Sequence, residues 1–213
     1  MEMSTARLQS AHVAVQFLAP IAVSPERLRL RQDMIALVRA GKLKSALALG
    51  EAQLAVNEAT WEAGGKVAVE FAGLLTDVSE LHQALHHVGT AEAGYRRAIS
   101  LYSNVQYEYP EMLRPTVDLA ILYRSRGKPE LALPLQLSAY PKLLAWLGPE
   151  HPDVIESEGE LVQLHQTLKQ YHEATVLLQA RLDRAKRAGD RNAIADNRKA
   201  LTKLRHARPQ KRT

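Results

Sequence analysis

The chain has 213 residues, 46% of them hydrophobic, a formal net charge of +5 and no cysteine. Without cysteine there are no disulfides, no thiolate-ligated zinc, no iron–sulfur cluster and no thiol nucleophile. An apolar share of this size lets a chain of this length bury about 70% of the surface its unfolded form exposes, so it should fold without staples.

Residues 1–23 open on Met1-Glu2-Met3, with an acid where a secretory signal carries basic charge. The apolar run from Ala11 to Val23 is broken by Gln16 and Pro20 and is too short to span a bilayer. A cytoplasmic protein with no membrane contact is expected, and residues 1–23 form an N-terminal segment with helical potential. Ser24-Pro25-Glu26 then reads as a helix start, serine capping free amides and proline preset at the first helical position. The helix should run to about Arg39 on an apolar stripe of Leu30, Met34, Leu37 and Val38. Ala40-Gly41-Lys42 makes the turn, and Leu43, Ala46, Leu47 and Leu54 continue into a partner helix.

The pattern then recurs. Gly64-Gly65 marks a boundary, Val67, Phe71, Leu74, Leu75, Val78 and Leu81 form the next first helix, and Ala91 to Ile99 the next second helix, in which Tyr95 fills the space beside Ala91 and Ala98. Its inner turn carries His86-His87 where the first unit has glycine. A third unit begins around Pro110, runs through Leu119 to Tyr123, turns at Gly127 and reopens at Pro129. Pro134 and Pro141 are expected to bend its second helix and split it into two short pieces. A fourth starts at Pro152, with Leu161, Leu164, Leu168 and Tyr171 facing Ala174, Leu177, Leu178 and Leu182. The small residue opening each second helix falls at Ala46, Ala91, Ala132 and Ala174, a period of 45, 41 and 42 residues. A period near forty with helical patterning is a stack of helix-turn-helix units, each unable to bury its apolar face alone. The units read as 24–65, 66–109, 110–151 and 152–188, followed by a basic cap and tail over 189–213 in which Ile194, Leu201 and Leu204 share one side.

The linker Gly148-Pro149-Glu150-His151-Pro152-Asp153-Val154, with Leu119 to Ala132 and Ala91 to Ile99, resembles the tetratricopeptide (TPR) repeats of kinesin light chains, and the small cysteine-free chain is similar to the bacterial kinesin-light-chain-like proteins, some of which associate with bacterial tubulins. The resemblance covers about residues 26 to 188. It implies a concave groove that grips extended peptides, usually with asparagines on the first helices; the matching positions here hold Asp77, Asp118 and Glu160, with Ile121 and Arg124 beside them. A carboxylate accepts but cannot donate, so a two-sided amide clamp is compromised. His151 lies in the linker motif, where the resemblance implies a structural role.

Other chemistry finds little footing. His82 and His86 share a helix face and His87 is adjacent, yet no third metal ligand of suitable spacing is present. Asp118 and Glu160 lack a nucleophile, and no phosphate-binding glycine loop or nucleophile elbow occurs. No enzyme, metal or cofactor is expected. Tyr102, Tyr107, Tyr109 and Trp146 are candidate partner anchors, with packing inside the repeats the commoner use of such rings.

The charge is unevenly spread. Twelve bases and three acids lie between Arg181 and Thr213, a net +9, which leaves −4 on the first 180 residues. Arg191, Arg198 and Arg205 repeat every seven residues along one edge of the last helix, with Lys199 and Lys203 on another edge and Arg208, Lys211 and Arg212 beyond. The tail has no aromatic residue to stack on bases, which disfavours nucleic acid. The expectation is an all-α, right-handed α-solenoid of about four TPR-like helical hairpins plus a C-terminal capping helix. It is expected to act as a non-enzymatic protein-binding adaptor on an acidic, bacterial tubulin-like filament. Contact falls to the groove (Asp77, Asp118, Ile121, Arg124, Glu160) or the basic edge (Arg191, Arg198, Lys199, Lys203, Arg205). A peptide-sensing regulator and a nucleic-acid-associated protein acting through the basic C-terminus are the alternatives.

Overall fold

The computed structural model describes residues 24–60, 66–105 and 109–207. The expectations for residues 1–23, Gly64-Gly65, the Val67 side chain, Tyr107, Arg208, Lys211 and Arg212 lie outside them. The described elements are α1 (Pro25–Arg39), α2 (Leu43–Thr60), α3 (Lys66–Ala84), α4 (Val88–Ser103), a 3-10 turn (Pro110–Leu113), α5 (Arg114–Ser125), α6 (Pro129–Leu147), α7 (Pro152–Thr167), α8 (Tyr171–Ala188) and α9 (Arg191–Ala207). They fall into two compact units that divide within α5, after Leu122.

The repeat signal is realised residue by residue. Ala46, Ala91, Ala132 and Ala174 are each the fourth residue of their helix, and each is fully buried. An alanine there lets the facing backbone approach as no longer side chain would. Five residues before each alanine the chain takes the left-handed conformation, at Gly41 (φ 73°), His86 (φ 63°), Gly127 (φ 68°) and Lys169 (φ 59°). In all four turns the next amide bonds back five residues: Lys42 to Leu37, His87 to His82, Lys128 to Tyr123 and Gln170 to His165, at 2.8 to 2.9 Å. These are Schellman caps, which satisfy carbonyls left open at a helix end. The second and fourth turns keep this geometry without glycine, and in both a side chain spans the turn. His82 Nδ1 lies 3.2 Å from His87 Nδ1, and His165 Nδ1 lies 2.6 Å from Gln170 Oε1.

Within residues 1–122, Met34 and Val38 of α1 meet Ala46 and Leu47 of α2 and Leu74, Val78 and Leu81 of α3. Phe71, Ala72 and Leu75 of α3 meet Ala98 and Tyr102 of α4 and Met112 of the 3-10 turn, with Tyr109 against them. Of the proposed aromatic anchors, Tyr102 is therefore core, while Trp146 remains 40% exposed. Within residues 123–213, Val162 of α7, Ala174 and Leu178 of α8 and Leu204 of α9 form one cluster, and Ala200 and Leu201 extend it. The last helix thus lays one apolar side on α8 and leaves its charged side outward, as a cap requires.

One local feature was not anticipated and one local expectation is corrected. The third unit opens on a 3-10 turn, because Pro115 has no N–H to give to the Glu111 carbonyl, which accepts instead from Arg114 three residues on. And α6 is one helix of 19 residues that runs through Pro134 and Pro141. Both rings are exposed, so the carbonyls they leave open reach water, while Ala132, Gln136, Ala139 and Leu143 hold the opposite side.

Candidate functional site

The acids expected to line an open groove are instead buried beside arginines: Asp77 and Glu160 pair with arginines of neighbouring first helices, and Asp118 lies near Arg114 of its own helix. Asp77 of α3 is 1% exposed. One of its carboxylate oxygens binds Arg27 of α1, with Arg31 Nε 3.7 Å away; the other lies 2.7 Å from Arg114 Nη2 of α5. Arg114 also holds Glu80 at 2.8 Å, and its Nε is 3.9 Å from Asp118, itself 2% exposed. Arg31 reaches Glu111 at 3.3 Å. Burial alone would raise the Asp77 pKa, but the guanidiniums of Arg31, Arg114 and Arg27 overcome it and hold the carboxyl well below the usual range. Burial pulls on Arg114 the other way, and Glu80, Asp77 and Asp118 keep it firmly protonated.

In the second unit Arg124 and Glu160 are brought together, Nε and Nη2 donating to the two carboxylate oxygens at 2.5 and 3.1 Å, with Glu160 5% exposed. Such a bidentate pair is geometrically specific. Ile121 is half-buried. A second buried carboxylate, Glu158, accepts from Arg184 and, at 3.2 Å, from the Tyr140 hydroxyl, with Arg181 at 3.8 Å. Burial and the neighbouring Glu158 push the Tyr140 hydroxyl up to about 12.

Sequence reasoning found the acids and Arg124 but not the pairing of Arg124 with Glu160, and it missed Arg27 and Arg114, for a physical reason. Asp77, Asp118 and Glu160 stand at one phase, fourteen residues before their alanines, whereas Arg27, Arg114 and Arg124 stand nineteen, eighteen and eight before theirs. Only the acids repeat, so only they are visible to a periodic reading.

The basic edge is different. Arg191, Arg198, Lys199, Lys203 and Arg205 are all exposed on α9, and among the described residues none has an ion-pair partner. Asp190 is drawn off to cap α9, its Oδ1 accepting from the amides of Asn192 and Ala193 at 3.0 Å. His151 caps α7 in the same manner, Nδ1 accepting from the Asp153 amide at 3.2 Å. Among the described residues no three His, Asp or Glu side chains converge on a metal position, and no helix is long and apolar enough to cross a membrane.

No family model and no curated protein matches the sequence. Solved structures do. A crystal structure of a putative kinesin light chain from Podosopora anserina with nearly identical TPR-like repeats aligns at TM-score 0.74 and 20% identity, covering 86% of this chain and 88% of that one. A point variant of that same protein aligns at 0.73 and 18%, covering 87% and 89%. The chain has a TPR-like repeat fold. BtubC (BKLC) from P. vanneervenii is similar over 99% of this chain and 93% of that one, at TM-score 0.63 and 15% identity. In TPR terms, the Arg27–Asp77–Arg114 chain joins the first helices of successive hairpins, α1, α3 and α5, at the positions where peptide-gripping side chains were expected.

Proposed function

We propose that this chain is a cytoplasmic, non-enzymatic adaptor that holds another protein, and that the partner is an acidic polymer, a bacterial tubulin-like filament, bound along the basic edge of α9. The single observation that carries this reading is the contrast in charge use. Asp77, Glu80, Glu158 and Glu160 are buried against arginines, whereas five bases of α9 stand exposed and unpaired among the described residues. Long-range attraction from such an edge speeds encounter with a polyanionic surface and sets orientation. Likeness of fold to BtubC supports the choice of filament. A peptide-sensing groove loses support, because its acids are already engaged within the molecule.

Co-sedimentation with polymerised bacterial tubulin tests the reading. The chain should pellet with the polymer at low salt, and the variant Arg198→Glu/Lys199→Glu/Lys203→Glu should stay in solution. A wild-type chain that remains in the supernatant ends the filament reading, and a triple variant that still pellets ends the basic-edge reading. Salt-sensitive binding to random DNA duplexes in place of the polymer would favour the nucleic-acid alternative.

A further inference from the structure

Two inner turns keep the Schellman cap without glycine, and each is tied by a histidine ring at the same place. His82 of α3 reaches across to His87, the N-cap of α4, and His165 of α7 reaches across to Gln170, the N-cap of α8. The two ties differ in how they take a proton. His165 Nδ1 donates to an amide oxygen at 2.6 Å, and a protonated ring makes that bond as well as a neutral one. The His82–His87 contact joins Nδ1 to Nδ1 at 3.2 Å, so one nitrogen must keep its lone pair for the other's N–H. The four ring nitrogens can therefore hold three protons with the bridge intact. A fourth sets two N–H groups and two positive charges against each other.

We infer that the α3–α4 turn is an acid-sensitive joint, closed while the histidine pair carries at most one positive charge and opened by a second. The surroundings set the order of events. Among the described residues the titratable groups facing His82 are Glu51 of α2, 3.4 Å from Nε2, and His87 itself. One charge is accommodated on exposed His87, whose Nδ1–H then donates to His82. The second must go to His82, which is 8% exposed. Burial holds the His82 pKa below the ordinary 6.5, with Glu51 opposing the shift and His87 adding to it. Once the bridge is gone the turn has little to keep it closed, because His86 sits within it at φ 63°, a left-handed conformation that disfavours any residue with a Cβ. An inner turn fixes how the two helices of a hairpin meet, so acid loosens this hairpin while the turn tied by His165 and Gln170 stays shut. The joint works in this way whichever partner the chain binds.

Amide hydrogen exchange of the full chain between about pH 7.5 and 4.5, read by NMR as protection factors, tests it. The closed turn keeps His82 neutral, so its stability is full above pH 6.5 and is lost as pH falls through the lowered value. The His87 amide, which donates to the His82 carbonyl at 2.8 Å, should lose about tenfold in protection for each pH unit once His82 titrates. The Gln170 amide, donating to the His165 carbonyl at 2.8 Å, should keep its protection. His87→Gln should remove the pH dependence, because a glutamine amide donates or accepts as the ring requires. Glu51→Gln should move the loss to lower pH, since the carboxylate favours the charged ring. Equal helicity by circular dichroism checks that each variant is folded. A wild-type His87 amide equally protected throughout, a matching loss at Gln170, or the same loss in His87→Gln overturns the inference.

Discussion

The four inner turns form a natural experiment at single residues. Gly127 adopts φ 68° with nothing within 4 Å of where a Cβ would sit, so Gly127→Ala should cost about 1–2 kcal/mol through backbone conformation alone. Lys169 and His86 already bear that cost at φ 59° and 63°, with side chains turned to solvent. Lys169→Gly and His86→Gly should therefore stabilise, by about 0.5–1 kcal/mol after the extra freedom of glycine in the unfolded chain is subtracted. Urea unfolding of the three variants checks both signs. Gly94 on α4 is required for a different reason: a Cβ there would lie 2.0 Å from Ser79 Oγ and 3.3 Å from Ser79 Cβ on α3. Gly94→Ala should destabilise by about 1–2 kcal/mol, overpacking outweighing better helix propensity. Gly89→Ala, which meets nothing within 4 Å, should be neutral or stabilising in the same assay. The glycine turns at Gly41 and Gly127 were legible in sequence because glycine is the residue that conformation prefers. His86 and Lys169 were not, since what holds them is a six-residue hydrogen-bonded cap and a side chain that spans the turn, neither of which composition reveals.

Between elements, the deciding interaction is the buried charge chain of α1, α3 and α5. Removing one member leaves the others desolvated and unpaired, so Asp77→Asn should cost about 3–5 kcal/mol at pH 7. The pH dependence follows from the lowered Asp77 pKa. Unfolded, this carboxyl takes its proton near 3.8; folded, it resists to a lower pH, so its contribution is complete above 3.8 and is lost as pH falls below it. Wild type should thus lose stability from pH 5 to pH 2.5 more steeply than Asp77→Asn, and the gap between them should narrow; chemical unfolding at pH 7, 4 and 3 measures this. Equal slopes would mean that the ion pairs contribute little. At this scale the alanines at the fourth position of α2, α4, α6 and α8 were readable because each helix pair solves the same packing problem. The arginines were not, because Arg27 and Asp77 are fifty residues apart and no second unit repeats their spacing. The same blindness made Asp77, Asp118 and Glu160 look like a groove lining. Exposure of a carboxylate is decided by what the neighbouring helix supplies, and here it supplies guanidinium. The continuity of α6 was misjudged for a related reason: a proline costs a helix one hydrogen bond and leaves one carbonyl open, and on an exposed side water hydrates that carbonyl.

Across the whole molecule, net charge is divided between a body of −4 and a C-terminal stretch of +9, and the two parts should answer salt in different ways. The ion pairs of the body are mostly screened from ions by burial, with Asp77 at 1% and Glu160 at 5% exposure. The bases of α9 face solvent, where the field extends about 30 Å at 0.01 M ionic strength but only about 10 Å at 0.1 M. Raising sodium chloride from 0.05 to 0.5 M should leave the thermal midpoint within about 3 °C, because the fold rests on buried pairs and apolar packing. The same change should weaken retention on an acidic polymer by about tenfold or more, because encounter depends on an unpaired basic edge. Calorimetry and co-sedimentation across one salt series separate the two responses. A midpoint that falls in step with binding would mean that the bases of α9 belong to the fold, and the assignment of that edge to a partner would then fail.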